Sequence, residues 1–457
     1  MSWGKAQAMW SRKRLDIGWL DLAYGAASCW LPARRESAEK RLSAGWSADE
    51  DALVCLSVRS GFDLLLSALD LPPGSEVLVS AVTIPDMLEI LAAHRLVAVP
   101  IDLSPATMSP RLDALRRAIR PATRALLAAH LFGGRIDLDP LADVAREQGL
   151  LLFEDCAQAY CGPAYRGHPR ADISMFSFGP IKTATALGGA VLRVPDADLR
   201  HSMRALQAAY PRQSRLALLR RVCKYACLKA LSTPLAFRLL VSSCLAAGLD
   251  PDRLLNGSVR GFAPGELLSQ LRRRPSPPLM ALLAWRLRTF DAARLAARIA
   301  ASRAIIERLS DAAEFPGAAA EEHCHWVLPI RVDEPRRLIA ELRGAGFDST
   351  QGQSLCVVPA PADRAELDPR AARATMAGIV FLPCYPEMPP AVVERLIRIL
   401  EGHCRSGSEG IGGPSGVSCG LAIGRSLPPG KRRRVHVEAH LRQSDGNWPT
   451  RSLPHRT

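Results

Sequence analysis

Short apolar runs alternate with amphipathic segments between Leu53 and Val194, and this alternation limits the fold more than any other feature of the chain. Runs of about four to eight apolar residues are typical of strands that are buried on both faces. We predict such strands at Glu76–Val82, Leu96–Leu103, Arg124–Leu131, Leu150–Asp155, Ile173–Phe178 and Gly188–Val194. The stretches between them predict helices at Ile84–His94, Pro110–Ile119 and Leu138–Gln148. This order predicts an α/β fold with a mostly parallel sheet flanked by helices.

The same patterns divide the chain into four regions. Residues 1–50 are predicted to form a helical segment ahead of a large α/β domain at residues 51–250. Residues 251–405 are predicted to form a helical connection and a smaller C-terminal α/β domain. Its predicted elements are a helix at about 278–309, a strand at His325–Val332, a helix at Pro335–Gly344, a strand at Gly378–Pro386 and a helix at Pro389–Glu401. Residues 406–457 are rich in Pro, Gly and basic residues, which predicts a disordered tail.

Composition favours a globular protein of the cytoplasm. Of the 457 residues, 48% are hydrophobic, and the formal net charge is +14. We expect neither a signal peptide nor a bilayer-spanning helix, and we therefore expect the 12 cysteines to be reduced thiols. No CxxC pair occurs, so no metal site is predicted. The basic cluster Lys431–Arg434 lies in the tail, which favours a solvated end over binding of nucleic acid.

Three groups that could bind a ligand or take part in a reaction follow apolar runs. A turn at Ser60–Gly61–Phe62 joins a short strand to a helix, Asp155 ends an apolar strand, and Lys182 follows the next strand, five residues after Ser177. The carboxyl ends of parallel strands meet at one edge of a sheet, where such groups can share a ligand. A helix N-terminus there favours a phosphate. Taken singly, each group also fits an ordinary role: a simple turn, a helix-capping acid and a solvated lysine.

Taken together and in this order, the segments resemble the sugar aminotransferases of the DegT/DnrJ/StrS type, which are pyridoxal-phosphate (PLP) enzymes of fold type I. The segment FEDCAQAYCG resembles the family's E-D-x-A-[HQ]-x-x-G motif, and FSFGPIKTATALGGAV resembles its S-F-x-x-x-K…G-G motif. The segments GSEVLVSAVTIPDMLEIL and AAHLFGGRIDLDPLADVA resemble two further family motifs. The resemblance covers about Leu53 to Glu401, and it implies the fold type I architecture of a large domain and a smaller C-terminal domain.

The resemblance also implies a role for each matching residue. Lys182 would hold PLP as a Schiff base and move the proton during transamination, and Asp155 would bind the pyridine nitrogen. Gln158 would lie near the ring hydroxyl, Ile84 would cover the ring, and His130 would lie at the cofactor's edge. The implied phosphate ligands are Ser177, Ser60 and the amides of Gly61 and Phe62.

Four positions depart from the family pattern. Phe62 stands where the family usually has threonine, Ile84 where an aromatic often stacks on the ring, and Thr183 where asparagine usually follows the lysine. An Asn-Tyr-Arg stretch after the Gly-Gly strand is replaced by YPRQSR at Tyr210–Arg215. Related sugar dehydratases carry histidine at the lysine position, so Lys182 favours transamination.

The resemblance predicts transfer of an amino group from glutamate or glutamine to a keto-sugar, which we expect to be nucleotide-linked, by a cytoplasmic homodimer. The departures leave an alternative, a non-catalytic protein of the same fold with a regulatory or membrane-associated role. Residues 216–245 combine apolar and basic residues, which fits either peripheral contact with the inner membrane or a helical arm on the other subunit. The pair His323 and His325 is interpreted as the start of a strand rather than as a metal site.

Overall fold

The structure is a computed structural model that describes residues 8–31, 35–47, 50–251, 254, 257, 266–352 and 354–409. Its strands are β1 (Ala52–Cys55), β2 (Glu76–Ser80), β3 (Val82–Thr83), β4 (Val97–Ile101), β5 (Thr123–Ala129), β6 (Gly134–Arg135), β7 (Leu151–Asp155), β8 (Ile173–Ser177), β9 (Ala190–Arg193), β10 (Glu322–His323), β11 (Leu328–Arg331), β12 (Cys356–Val357) and β13 (Ile379–Leu382). Its helices are α1 (Trp19–Ser28), α2 (Arg35–Trp46), α3 (Val58–Leu69), α4 (Pro85–Ala93), α5 (Leu112–Ala118), α6 (Asp139–Glu147), α7 (Ala197–Ala209), α8 (Arg215–Leu231), α9 (Pro234–Ala246), α10 (Leu267–Leu271), α11 (Pro277–Arg288), α12 (Ala292–Leu309), α13 (Pro335–Gly344), α14 (Arg370–Gly378) and α15 (Pro390–Glu409).

A seven-stranded sheet with the order β1-β9-β8-β7-β5-β2-β4 is the centre of the fold. The pairs β2–β4, β2–β5, β5–β7 and β7–β8 are parallel, and β9 is antiparallel to both of its neighbours. The α/β fold with a mostly parallel sheet, predicted from the apolar runs, is confirmed.

Helices cover both faces of this sheet. Alternate strand residues such as Val77, Leu127 and Phe153 pack with α3 and α4 in one core. Their neighbours Leu78 and Leu126 pack with α5 and α6 in a second core on the other face. Since successive side chains of a strand point to opposite faces, the continuous apolar runs of the sequence bury both faces at once.

A smaller core lies in the C-terminal part, where β11 pairs antiparallel with β13 and packs against α12, α13 and α15. The predicted strand at His325–Val332 is shorter than expected and begins at Leu328, because His325 has a φ of +43° and interrupts the extended chain. The predicted helix at 278–309 is two helices, since Asp291 caps α12 by accepting a hydrogen bond from the Arg294 amide at 2.8 Å.

The N-terminal region is helical only from Trp19. Residues 8–17 instead form an extended segment that crosses to the smaller core. The Trp10 amide donates to the Gly346 carbonyl at 2.8 Å, and Arg12 pairs with Asp348 at 2.7 Å. This segment therefore joins the two cores, which the sequence pattern did not predict.

The region predicted to be long, apolar and helical is bent. Helices α8 and α9 meet at 96°, and Pro234 occupies the first turn of α9. Among the described residues, no single helix has the length and apolar composition needed to cross a membrane, but this bent pair passes that test as a unit. The predicted tail at 406–457 lies outside the described residues except for the last turn of α15.

Candidate active site

A cavity of about 750 Å³ lies at the carboxyl ends of β7 and β8. Its walls come from the first turn of α3, the start of α4, the extended segment of residues 11–16, the bent pair α8–α9 and the smaller core. Ligand sites typically enclose about 300–1,000 Å³, so this cavity has room for a cofactor and part of a substrate.

Lys182 and Asp155 both line this cavity. Burial lowers the pKa of Lys182 to about 8, while the carboxylate of Asp155 opposes this shift and the charge of Arg59 adds to it. Burial raises the pKa of Asp155, against the opposing effects of the Ala157 amide and of Lys182. Each group is thus less stable in its charged form than it is in water, and a ligand with a charge complementary to Asp155 would relieve that cost.

The indole ring of Trp326 contacts two amines, those of Lys182 and Lys13. The Lys182 Nζ lies 4.0 Å from the ring centre of Trp326, and the Lys13 Nζ lies 3.8 Å from it. Trp326 is held by its own Nε1, which donates to the Ile181 carbonyl at 2.7 Å. Burial, Arg298 and Lys182 lower the pKa of Lys13 well below its usual value. A second amine with a lowered pKa therefore lies in the cavity, supplied by the extended N-terminal segment.

The first turn of α3 is built differently from the sequence prediction. The helix begins at Val58, and the Ser57 hydroxyl caps it by accepting from the Ser60 amide at 3.1 Å. Ser57, Val58 and Arg59 line the cavity, and amides in a first helical turn are not used by the helix itself. Arg59 forms an ion pair with Asp86 at the start of α4. The structure therefore offers the Ser57–Arg59 turn, with one guanidinium, as the phosphate site.

Ser60, Gly61 and Phe62, the predicted phosphate ligands, directly follow Arg59 at the start of α3 but do not line the cavity. The Gly61 amide donates to the Ser57 carbonyl at 3.0 Å, and Phe62 is fully buried against Phe153. A Cβ at Gly61 would lie 2.6 Å from the Leu192 side chain. The glycine is therefore explained by close packing of α3 on the sheet rather than by access to a phosphate.

Ser177 and Ile84 line the cavity as the sequence predicted. Ser177 ends β8, and its hydroxyl lies 3.5 Å from the Gly179 amide in the turn that leads to Lys182. Ile84 is the residue before α4, and Pro85 at the first helical position fixes its backbone in an extended conformation. Their contact with a cofactor stays a prediction.

His130 and Gln158 do not line the cavity, and their contact with a cofactor stays a prediction. His130 is buried, accepts from the Ile136 amide at its Nδ1 and contacts Glu154 through its Nε2 at 2.8 Å. Burial opposes ionisation of Glu154, but the hydrogen bonds it accepts, first from His130, hold its pKa at about 2. The Gln158 Oε1 accepts from the Phe132 amide at 2.8 Å. Both side chains therefore support the loop beside the cavity.

His130, Glu154 and Cys156 bring potential metal-ligand atoms within 4.8 Å of one another in the described part of the chain. Glu154 also accepts from the Tyr165 hydroxyl and, at 2.8 Å, from the His168 amide. A carboxylate with this many donors is already compensated, so the group is explained by a hydrogen-bond network.

The rings of His323 and His325 stack 3.9 Å apart, and burial lowers their pKa values to about 4 and about 3.

Sequence reasoning missed Arg59, Lys13 and Trp326. Arg59 left a signal, because a cation in the first turn of a helix opposes the helix dipole and so has a cost that a ligand could offset. Lys13 and Trp326 left none, since tertiary contacts of the extended segment and of the loop before β11 bring them to Lys182.

The segment that contributes Lys182, Asp155, Ser177 and the Ser57–Arg59 turn lies within residues 35–215, and these residues match the model of the DegT/DnrJ/EryC1/StrS aminotransferase family. Residues 35–215 are therefore similar to this family. The chain is 39% identical over 160 residues to the erythromycin biosynthesis sensory transduction protein EryC1 of Saccharopolyspora erythraea, which covers 34% of this chain and 43% of that protein. It is 31% identical over 188 residues to the dTDP-4-dehydro-2,3,6-trideoxy-D-glucose 4-aminotransferase of Saccharopolyspora spinosa, covering 39% and 48%. The chain thus spans less than half the length of these DegT/DnrJ/EryC1/StrS relatives.

The similarity of fold to solved aminotransferases extends over most of the chain. The aminotransferase TlmJ from Streptoalloteichus hindustanus superposes with a TM-score of 0.63 at 18% identity, covering 88% of this chain and all of that one. NtdA from Bacillus subtilis, solved with bound cofactor PMP, superposes with a TM-score of 0.60 at 16% identity, covering 85% and 83%. The predicted fold class, that of the PLP-type aminotransferases, is therefore confirmed.

Replacing Arg59 by Leu is expected to weaken PLP binding by about 10- to 100-fold, because a hydrogen-bonded charge on a phosphate contributes about 1.5–3 kcal/mol. Fluorescence titration of the apoprotein with PLP measures this. Ser60→Ala is the matched control and should bind PLP as the parent protein does. If Ser60→Ala weakened binding and Arg59→Leu did not, the phosphate would bind where the sequence predicted it, at Ser60–Phe62, and not at the Ser57–Arg59 turn.

Replacing His130 by Ala is expected to lower the free energy of unfolding by about 1.5–3 kcal/mol, because it removes one of the hydrogen bonds that stabilise the buried Glu154 carboxylate. Urea denaturation measures this loss. His168→Ala removes a histidine whose partner Asp139 is exposed, so its cost should stay below about 1 kcal/mol. Unchanged stability of the His130 variant, combined with weaker PLP binding, would instead place His130 at the cofactor.

Proposed function

We propose that this protein is a PLP-dependent aminotransferase that transfers an amino group from glutamate or glutamine to a nucleotide-linked keto-sugar. The observation that carries the proposal is the shared cavity of Lys182 and Asp155, with the Ser57–Arg59 turn and Ser177 in the same wall. The names of relatives that act on dTDP- and GDP-linked sugars support the substrate class.

The residues present fit PLP. Lys182 supplies an amine whose pKa is lowered to about 8, so that about a tenth of it is uncharged at pH 7 and able to attack an aldehyde. Asp155 supplies a buried carboxylate that a protonated ring nitrogen would compensate. The Ser57–Arg59 turn and the Ser177 hydroxyl supply donors for a phosphate dianion. When bound, PLP supplies the electron sink that stabilises negative charge on the substrate carbon.

In the proposed reaction, the Lys182 Nζ moves a proton between the substrate carbon and the cofactor side of the cavity. Trp326 keeps this amine in place through its ring, and the Ile181 carbonyl keeps Trp326 in place. Asp155, ionised when paired, keeps a proton on the ring nitrogen opposite. The extended segment at residues 11–16 closes one side and limits the entry of water.

The charge of the cavity supports a substrate with phosphate groups of its own. Eight cationic and five acidic side chains line it. The cations are Arg12, Lys13, Arg14, Arg59, Lys182, Arg221, Arg294 and Arg298. Arg12, Arg59 and Arg294 already pair with acids in the wall, and Arg221 and Arg298 add positive charge beyond those pairs. A diphosphate-linked sugar is complementary to this surplus.

The rate at which apoprotein captures PLP is expected to rise with pH and to level off above about 8. The lysine attacks as the uncharged amine, and its pKa is lowered from 10.5 to about 8. Asp155→Asn should move the midpoint to lower pH, because Asp155 raises the Lys182 pKa. Stopped-flow absorbance across a pH series measures the profile. A rise that continues towards pH 10.5 would contradict the burial of this amine.

The direct test of the proposal is a half-reaction. Glutamate or glutamine should remove the visible absorbance of the PLP-loaded protein, and one member of a panel of nucleotide keto-sugars should restore it. A PLP-loaded protein that responds to neither donor would contradict transamination.

A second candidate is a regulatory protein of the same fold, which the description of EryC1 as a sensory transduction protein favours. Phe62 does not support this candidate, because it lies in the core and not at the phosphate site. The absorbance response to the amino donor separates the two functions.

The homodimer and the cytoplasmic location stay proposals, and light scattering of the purified protein tests the homodimer.

A further inference from the structure

Helices α1, α8 and α9 form an exposed surface that we call the apolar patch. Its members are large apolar side chains that point to solvent: Trp19, Leu20, Trp30, Leu31, Leu216, Leu235, Leu239 and Leu245. Leu20 is 82% exposed, Trp30 is 77% exposed and Leu239 is 69% exposed. Contiguous exposed apolar side chains of this kind mark a surface that contacts something other than water.

The patch is continuous because α1 and α8 lie side by side and run in opposite directions. The Arg215 Nη1 at the start of α8 donates to the Leu31 carbonyl beyond the end of α1 at 2.7 Å. At the other end, the Lys229 Nζ lies 5.9 Å from the ring centre of Trp19. Helix α9 follows α8 after the bend, and the Met9 amide donates to the Pro234 carbonyl at 3.1 Å.

The exposed face of α1 lacks the polar residues that a helix normally turns to water. Leu20, Ala23, Ala27 and Trp30 are exposed at helical spacing. Asp21 points inward, where it accepts from Trp285 at 2.8 Å and from Arg286 at 2.7 Å. The one acid of α1 is therefore used by the core.

Along α8 and α9 every charged residue is basic. The sequence has no acidic residue between Asp198 and Asp250, and the exposed face of α8 contributes Arg220 and Lys224. Leucine and tryptophan beside arginine and lysine, without acids, is the composition that an anionic membrane surface attracts.

We propose that the apolar patch docks on the surface of a membrane that contains anionic lipid. The proposal stands independently of the reaction at Lys182. A second copy of this chain fits the patch less well, since a two-fold contact would place the patch against itself and set Arg220 and Lys224 against like charges with no acid to pair.

Docking would bring lipid close to the candidate active site. The inner faces of α8 and α9 contribute Leu228, Phe237 and Leu240 to the cavity wall. A helix with its side chains is about 10–12 Å wide, so a membrane against the outer face lies about that far from the cavity.

Sedimentation of the full-length PLP-loaded protein with vesicles tests this proposal. We expect binding to vesicles of phosphatidylcholine mixed with phosphatidylglycerol and much weaker binding to phosphatidylcholine alone. Leu20→Glu and Leu239→Glu should each lower the partition coefficient by about tenfold or more, because each removes an exposed apolar side chain that docking would bury and adds repulsion from the anionic lipid. Leu112→Glu, at an exposed leucine of α5, is the matched control and should stay within about twofold.

A second variant separates the patch from the basic tail. The variant with Lys431, Arg432, Arg433 and Arg434 replaced by Gln should still bind the mixed vesicles. Adding Leu239→Glu to this variant should then weaken vesicle binding as it does in the parent protein. Circular dichroism should show all variants folded. The proposal fails if the protein does not bind the mixed vesicles, or if the tail variant alone removes binding. It also fails if Leu20→Glu and Leu239→Glu convert a dimer to a monomer in light scattering without changing vesicle binding, because the patch would then join two copies.

Discussion

Replacing Lys182 by Ala is expected to lower the rate of amino transfer by about 10⁴-fold or more. The same amine would hold PLP and move the proton, so its loss removes two functions at once. Steady-state assay with the amino donor and the keto-sugar measures the rate, and the visible absorbance reports whether PLP is bound covalently. We do not expect Lys13 to replace the missing amine, because its Nζ donates to the Trp326 carbonyl at 3.0 Å.

Lys40→Ala, at an exposed lysine of α2, is the control and should leave rate and absorbance unchanged. If the Lys182 variant kept more than about a tenth of the rate, proton transfer would have to come from another group.

Replacing Asp155 by Asn is expected to lower the rate by about 10²- to 10³-fold and to weaken PLP binding. The amide keeps the shape and the hydrogen bond with the Ala157 amide but cannot stabilise a proton on the ring nitrogen. Rate assays and PLP titration measure the two effects. Asp139→Asn, at an exposed acid of α6, is the matched control. A fully active Asp155 variant would place the ring nitrogen elsewhere in the cavity.

The fold was predictable because strands buried on both faces leave apolar runs in the sequence. Asp155 and Lys182 were predictable for the same reason, since each follows such a run and parallel strands end at one edge of the sheet. Glu154 and Asp155 also show how much strand alternation determines. The two side chains point to opposite faces, so Asp155 lies in the cavity while Glu154 lies in the core with His130.

The start of α3 was not predictable, because Ser57 and Ser60 are both good caps for a helix that follows a strand. The structure decides for Ser57, since β1 ends at Cys55 and the helix starts at once. The sequence prediction was therefore three residues late and chose Ser60, Gly61 and Phe62 in place of the Ser57–Arg59 turn. Phe62 therefore departs from the family pattern at a residue that lies in the core and not beside the cavity.

The N-terminal wall of the cavity was beyond sequence reasoning. Asp16 accepts from the Ala184 amide at 2.7 Å and from Arg294 at 2.9 Å, and Lys13 donates to Trp326. These contacts join residues more than 150 positions apart, and no local pattern encodes them.

Borohydride reduction of the PLP-treated protein, followed by peptide mapping, tests the central claim most directly. Reduction makes the bond between the cofactor and its lysine permanent and shows which lysine formed it. We expect the label on the peptide that contains Lys182 and on no other. A label on Lys13, the other buried amine at Trp326, or no label at all, would contradict the claim that Lys182 and Asp155 hold one cofactor between them.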